Sequence, residues 1–209
     1  RDSLKRDSQE MATVVLNGIK TDDLYREKEA CIRVRKEFDI PADAYVIGNL
    51  ARITPWKGQK TLLKAFNEYT DKNQNSYILL VGSPFFDNDK YLKHLIKLIK
   101  NYGLGKRVIM PGYRSDLKEI FSAMDLFIYP SLEKDTSPLA LLSAISSGLP
   151  VAVSNIKSLR EITDLCPVVD VFDPDDRENL LSLMEKYEDE SIRAVNGRKN
   201  REAGEMAYS

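Results

Sequence analysis

Two cations and one run of hydroxyl and carboxylate groups carry most of the chemistry in this 209-residue chain. Arg52 and Lys57 stand five residues apart in the stretch ARITPWKGQK, where a strand-like segment gives way to a helix. Arginine can fork onto two oxygens and lysine adds a point charge, so the pair suits a diphosphate beside helix N–H groups. On spacing alone, two solvated surface cations explain it equally well. Further along, Asp135, Thr136 and Ser137 precede Pro138 and Leu139 at the start of a nearly all-apolar helix that stops at Gly148. Unpaired amides gather at such a start and favour an anion, and Pro138 suits the first helical position. A helix cap with solvated acids accounts for the neighbouring Glu133 and Lys134. Asp135 would crowd an anion there unless it hydrogen-bonds something else, such as sugar hydroxyls.

The remaining candidates are weaker. Tyr113 and Arg114, in PGYRSDLKE, could flank a planar base, with Ser115 capping the next helix. Asp87-Asn88-Asp89 has the spacing of an Asp-x-Asp metal motif, yet it stands just before a helix, where these residues are ordinary caps. The single histidine, His94, lies inside an amphipathic pattern, and with Cys31 and Cys166 far apart it builds no zinc site. Neither GxGxxG nor GxxxxGK[ST] occurs, so dinucleotide and P-loop readings lose their main support.

These residues need elements to hold them. Short apolar runs alternate with amphipathic ones along the chain. Strands are expected at 14–16, 45–51, 77–81, 107–110, 125–129, 151–154 and 167–171. Helices are expected at 22–38, 57–69, 89–102, 117–124, 138–147 and 175–187, with a polar helical tail over 190–209. Leu92, Leu95, Ile96 and Ile99 are expected to face inward from the third helix. Strands apolar throughout indicate a parallel sheet covered on both faces, and this alternation indicates an α/β, doubly wound, Rossmann-like domain. Ligands in such sheets bind at the carboxyl ends of the strands, where the candidate loops lie.

The length suits one domain of α/β size. A formal net charge of −1 argues against a polyanion-binding surface, so no nucleic-acid partner is expected. Two distant cysteines suggest no disulfide framework and fit a reducing, cytoplasmic setting. No apolar run is long enough to span a bilayer. The charged opening RDSLKRDSQEMA has no apolar core and no initiator Met, so the chain is expected to be a piece of a longer protein without a signal peptide.

Taken together, these segments resemble the C-terminal, donor-binding domain of retaining glycosyltransferases of the GT-B fold, family 4 (group 1). VVLNGIKTDDL, IGNLARITPWKGQKTLLKAF, LLVGS, VIMPGYRSDLKEIFSAMDLFIYPS, LLSAISSGLPV and NGRKNREAGEMAYS are similar to six family blocks in the family's order. The resemblance implies a single domain over 1–209, with 1–18 as inter-domain linker and opening strand, 190–209 as a truncated last helix, and an N-terminal acceptor domain missing. It implies sugar transfer from a UDP- or GDP-sugar with retention of configuration, in polysaccharide or glycoconjugate biosynthesis. It needs no metal and no other cofactor, and the isolated piece is expected to be inactive. Peripheral membrane association of the full-length protein is compatible with it.

By the same resemblance Arg52, Lys57 and Asp135 carry the chemistry: the two cations hold the diphosphate and Asp135 the sugar hydroxyls. Gly82, Thr136, Ser137, Pro138, Leu139 and Ser143 line the donor site, with Tyr113 and Arg114 beside the base. The family's paired glutamates, with seven residues between them, map onto Asp135 and Ser143. Ser143 thus replaces the acid that usually holds the ribose. Two alternatives remain open: a non-catalytic, glycosyltransferase-like partner module, and a nucleotide-sugar epimerase of related fold.

Overall fold

The computed structural model describes residues 17–84, 89–133, 135 and 138–208. The expected strand at 14–16 lies outside them, as do Asp87, Asn88, Lys134, Thr136 and Ser137.

Six parallel strands form one sheet: β1 (Tyr45–Leu50), β2 (Ser76–Val81), β3 (Val108–Gly112), β4 (Leu126–Tyr129), β5 (Val151–Ser154) and β6 (Asp170–Phe172). Their spatial order is β3-β2-β1-β4-β5-β6, so chain order reverses direction between β1 and β4. Register runs from Tyr45 opposite Ser76 to Leu50 opposite Val81, and Ile47 stands opposite Leu126 across the reversal. This is the doubly wound α/β architecture expected from the all-apolar strands.

Successive residues of each strand feed opposite faces. Val46, Leu79, Val81, Phe127, Tyr129, Val151 and Val153 pack on one side, against α1 (Lys28–Glu37), α4 (Leu117–Ser122), α5 (Leu139–Ser146), α6 (Arg160–Leu165) and α8 (Glu190–Tyr208). Ile47, Ile78, Leu80, Leu126, Ile128 and Ala152 pack on the other, against α2 (Gln59–Thr70), α3 (Asp89–Asn101) and α7 (Arg177–Lys186). Two apolar faces require two apolar sets per strand, which is why the strands read as unbroken runs.

Element ends shift where tertiary bonds compete. The helix expected from Asp22 begins only at Lys28, after a single 3-10 turn at Thr21–Asp23. The residues between are drawn onto the neighbouring elements: the Glu27 amide donates to Ser122 Oγ at 2.9 Å and the Arg26 guanidinium to the Met124 carbonyl at 2.5 Å. The last strand lies at Asp170–Phe172, displaced from the expected 167–171, because Ser154 pairs with Phe172. Ile96, expected inward, is 52% exposed, while Leu95 and Ile99 alone of the four are buried. Pro138 is the residue before α5 rather than its first residue, with extended backbone at φ −72° and ψ 109°.

Candidate functional site

A cleft of about 620 Å³ opens at the carboxyl ends of β1, β2 and β4, over the reversal of strand order. Its wall includes Arg52, Lys57, Gly82, Tyr113, Arg114, Asp135, Pro138, Leu139 and Ser143. Every described residue that the resemblance assigns to the donor site therefore borders one cavity. Thr136 and Ser137, assigned to the same site, lie outside the described residues.

The loop after β1 is built by close backbone approach. The Ala51 amide donates to the Val81 carbonyl at 3.0 Å and the Ile53 amide to the Ser83 carbonyl at 2.9 Å. Gly82, at φ +141°, lets the chain pass there, since a Cβ would sit 1.9 Å from the Ala51 carbonyl oxygen. A 3-10 turn at Pro55–Lys57 then ends in Gly58, at φ +70°, which delays the helix expected from Lys57 until Gln59. A Cβ on Gly58 would lie 1.8 Å from the Pro130 carbonyl oxygen. The Leu132 amide also donates to the Trp56 carbonyl at 2.8 Å. The glycine after Lys57 thus clamps the β1 loop onto the β4 loop, which brings Lys57 to Asp135. Gln59, fully buried, donates from Nε2 to the Arg52 carbonyl at 2.8 Å and steadies the turn from below.

Lys57 is 6% exposed and Asp135 8%. The Lys57 ammonium donates to Asp135 Oδ2 in a short contact and to Tyr129 Oη at 2.6 Å. Ser131 Oγ donates to the same Asp135 oxygen at 2.5 Å, while Ser154 braces the Ser131 carbonyl. Burial pulls the Lys57 ammonium below the usual lysine value, against the raising effect of Asp135. Burial, then the Asp135 charge, hold the Tyr129 phenol above the usual tyrosine value. The expectation of Lys57 on phosphate and Asp135 on sugar treats these charges as separate. Here they neutralise one another, because a buried charge is tolerated only when paired.

Arg114 is likewise paired within the chain. Its guanidinium donates to Asp116 at 2.8 and 2.6 Å and to Glu37 Oε1 at 2.5 Å, and lies 5.6 Å from the Phe38 ring centre. Both carboxylates raise its pKa, so the side chain braces the loop and offers the cleft a flank rather than a free charge. Tyr113 beside it is 76% exposed at the cleft rim. Ser143 lies one helical turn into α5 and is 4% exposed, with its side chain among the cleft-lining set. The start of α5 borders the same space, where the first helical amides lack intrahelical partners.

Residues 32–203 match the family described as Glycosyl transferases group 1. The chain belongs to this family. The group 1 chain is 28% identical over 184 residues to the Escherichia coli O-antigen biosynthesis glycosyltransferase WclY, covering 83% of this chain and 48% of that one. It thus spans about half the length of the curated relatives it matches. The Anabaena protein Alr3699/HepE, solved in complex with UDP-glucose, shares the fold at a TM-score of 0.88 and 21% identity, covering 96% of this chain and 54% of its own. The C-terminal domain of a group 1 glycosyl transferase, LpcC of Francisella tularensis, aligns at a TM-score of 0.79 and 20% identity over 92% of this chain and 99% of its own. The group 1 chain therefore has the fold of a C-terminal half of GT-B glycosyltransferases.

Not expected from the sequence were Tyr129, which lines this group 1 cleft, and Ser131 and Gln59, which bond Asp135 and the Arg52 carbonyl behind it. Tyr129 ends an apolar strand and reads as core, yet its hydroxyl meets a residue 72 positions away. For Tyr129 and Ser131, a hydroxyl at or just past a strand's carboxyl end was the available signal.

Proposed function

We propose that this chain is the donor-binding half of a retaining sugar transferase that uses a nucleoside-diphosphate sugar. The observation that carries the reading is the convergence of Arg52, Lys57, Asp135 and the start of α5 on one cleft at the strand-order reversal. In this reading Arg52 and Lys57 meet the diphosphate, with the first amides of α5 beside it. Charge that builds on the leaving diphosphate is stabilised by these preplaced groups, which is electrostatic catalysis without a metal. Asp135 accepts from sugar hydroxyls once the phosphate has taken its place beside Lys57. Gly82 leaves room for backbone approach, Tyr113 and the flank of Arg114 cover the base, and Ser143 lies toward the ribose. The UDP-glucose bound by the Anabaena protein favours a uridine donor over a guanosine one. A second, N-terminal domain would hold the acceptor, with transfer in the cytoplasm.

Isothermal titration of the full-length protein with UDP and with GDP tests this. Saturable binding of one nucleotide is expected, weakened about tenfold or more by Arg52→Ala, as befits loss of a charged hydrogen bond. No binding of either nucleotide overturns it.

One observation favours a second reading, a partner module that has lost tight donor binding. Lys57 and Asp135 already satisfy each other, and Ser143 offers the ribose no charge. That reading expects Arg52→Ala to change nothing in the titration.

A further inference from the structure

The near-neutral total of the chain conceals a strong local asymmetry. From Asp89 to Arg107 there are six lysines and arginines against one aspartate, a net +5, which leaves the rest of the chain at −6. The excess is concentrated on α3. Lys90, Lys93, Lys97 and Lys100 are all exposed, and Lys106 continues the run just beyond the helix. At about 100° per residue these four helix positions fall within an arc of about 80°, on the side opposite Leu95 and Ile99, and they extend about 15 Å along the axis.

A solvated helix face ordinarily mixes signs. The other long exposed helices here do so: α7 carries Arg177, Glu178, Glu185 and Lys186, and α8 carries Glu190, Arg198, Lys199, Glu202 and Glu205. On α3 none of the four lysines forms an ion pair with a described residue. The one exposed large apolar side chain of the helix, Ile96, flanks the stripe. The stripe is anchored firmly. Its opposite face is buried in the core, and Tyr91 Oη accepts from the Lys60 amide at 3.2 Å, tying the first turn to the start of α2.

We infer that the exposed face of α3 docks on a membrane surface rich in anionic lipid headgroups. A straight row of four lysines with an apolar flank matches a planar anionic surface, to which a cluster of this size on an amphipathic helix is attracted. Lysine ammonium groups act as point charges, without the planar guanidinium fork that matches a guanine edge. The acidic remainder of the chain also repels a polyanion that wraps, whereas a plane meets one face alone. None of the described residues that line the cleft belongs to α3, so docking by its outer side does not occupy the cleft wall.

The test is co-sedimentation of the 209-residue chain, and of the full-length protein, with vesicles of phosphatidylcholine alone and of equal parts phosphatidylcholine and phosphatidylglycerol. A duplex RNA retention assay runs beside it. Binding to the mixed vesicles only is expected, released by salt and reduced about tenfold or more by Lys93→Glu with Lys97→Glu and Lys100→Glu. The milder Lys93→Gln, Lys97→Gln pair, checked for an unchanged melting temperature, gives a smaller loss in the same direction. Equal binding to both vesicles, binding to neither, full binding by the charge-reversed chain, or retention on RNA in preference to the mixed vesicles each overturns the inference.

Discussion

Two cations border the same cleft in opposite surroundings. Lys57 is buried under a glycine-clamped loop, paired with Asp135 and resting 5.0 Å above the centre of the Tyr129 ring. Arg114 stands at the rim, its fork divided between Asp116 and the half-exposed Glu37. Burial lowers the pKa of the first, and partners raise that of the second. In the proposed function the inner cation exchanges Asp135 for an incoming anion, a trade that keeps its buried charge paired. The outer one holds a loop in place and has little to gain from a ligand. Proximity to a cavity therefore does not define a binding charge; the state of its existing partners does.

The largest expected effect comes from breaking the clamp that sets up the inner position. Gly58→Ala should lower unfolding stability by about 3 kcal/mol, since a left-handed φ and a clash with the Pro130 carbonyl act together. A urea melt within about 0.5 kcal/mol of wild type would show that the two loops are not held this way.

Next, Lys57→Met should lower stability by about 2 kcal/mol by leaving Asp135 unpaired beside a solvent-open cleft. It should also alter the alkaline stability profile. The folded-state pKa of Lys57 lies below its unfolded value, so between the two the unfolded chain binds more protons and stability rises with pH. The wild-type melt should therefore gain on the Met variant as pH climbs toward the ordinary lysine value of 10.5. A gap that narrows over that range contradicts the lowered pKa.

Ser143→Glu, which restores an acid on the cleft wall, should tighten UDP binding about tenfold in a calorimetric titration. Weaker binding would place the ribose elsewhere. The smallest effect belongs to the rim: Arg114→Ala should cost under about 1 kcal/mol, shrinking further in high salt, as partly exposed pairs do. A loss as large as that of Lys57→Met would erase the contrast between the two cations.

Much of this was legible from residue order. The sheet architecture follows from unbroken apolar runs, and the candidate loops from where those runs end. Arg52, Lys57, Asp135, Pro138 and Leu139 could be named for that reason, and Ser143 through the family resemblance. What stayed hidden were pairings across the fold. Nothing local to PGYRSDLKE shows that Glu37 will claim Arg114, nor does the strand ending at Tyr129 announce a phenol bound to Lys57. The helix start at Lys28 and the outward turn of Ile96 escaped likewise, because bonds to Ser122 and Met124, and the seating of α3 along Leu95 and Ile99, outweigh local periodicity.

The sequence by itself determined the α/β fold, the family and the loops that meet at the cleft, because apolar period, turn residues and motif order are local properties. It also determined the lysine row of α3, since helical spacing alone aligns those charges. The tertiary structure decided which charges are spent on each other. Coulomb attraction and desolvation depend on distance in space and burial, and those exist only once β1 and β4 lie side by side.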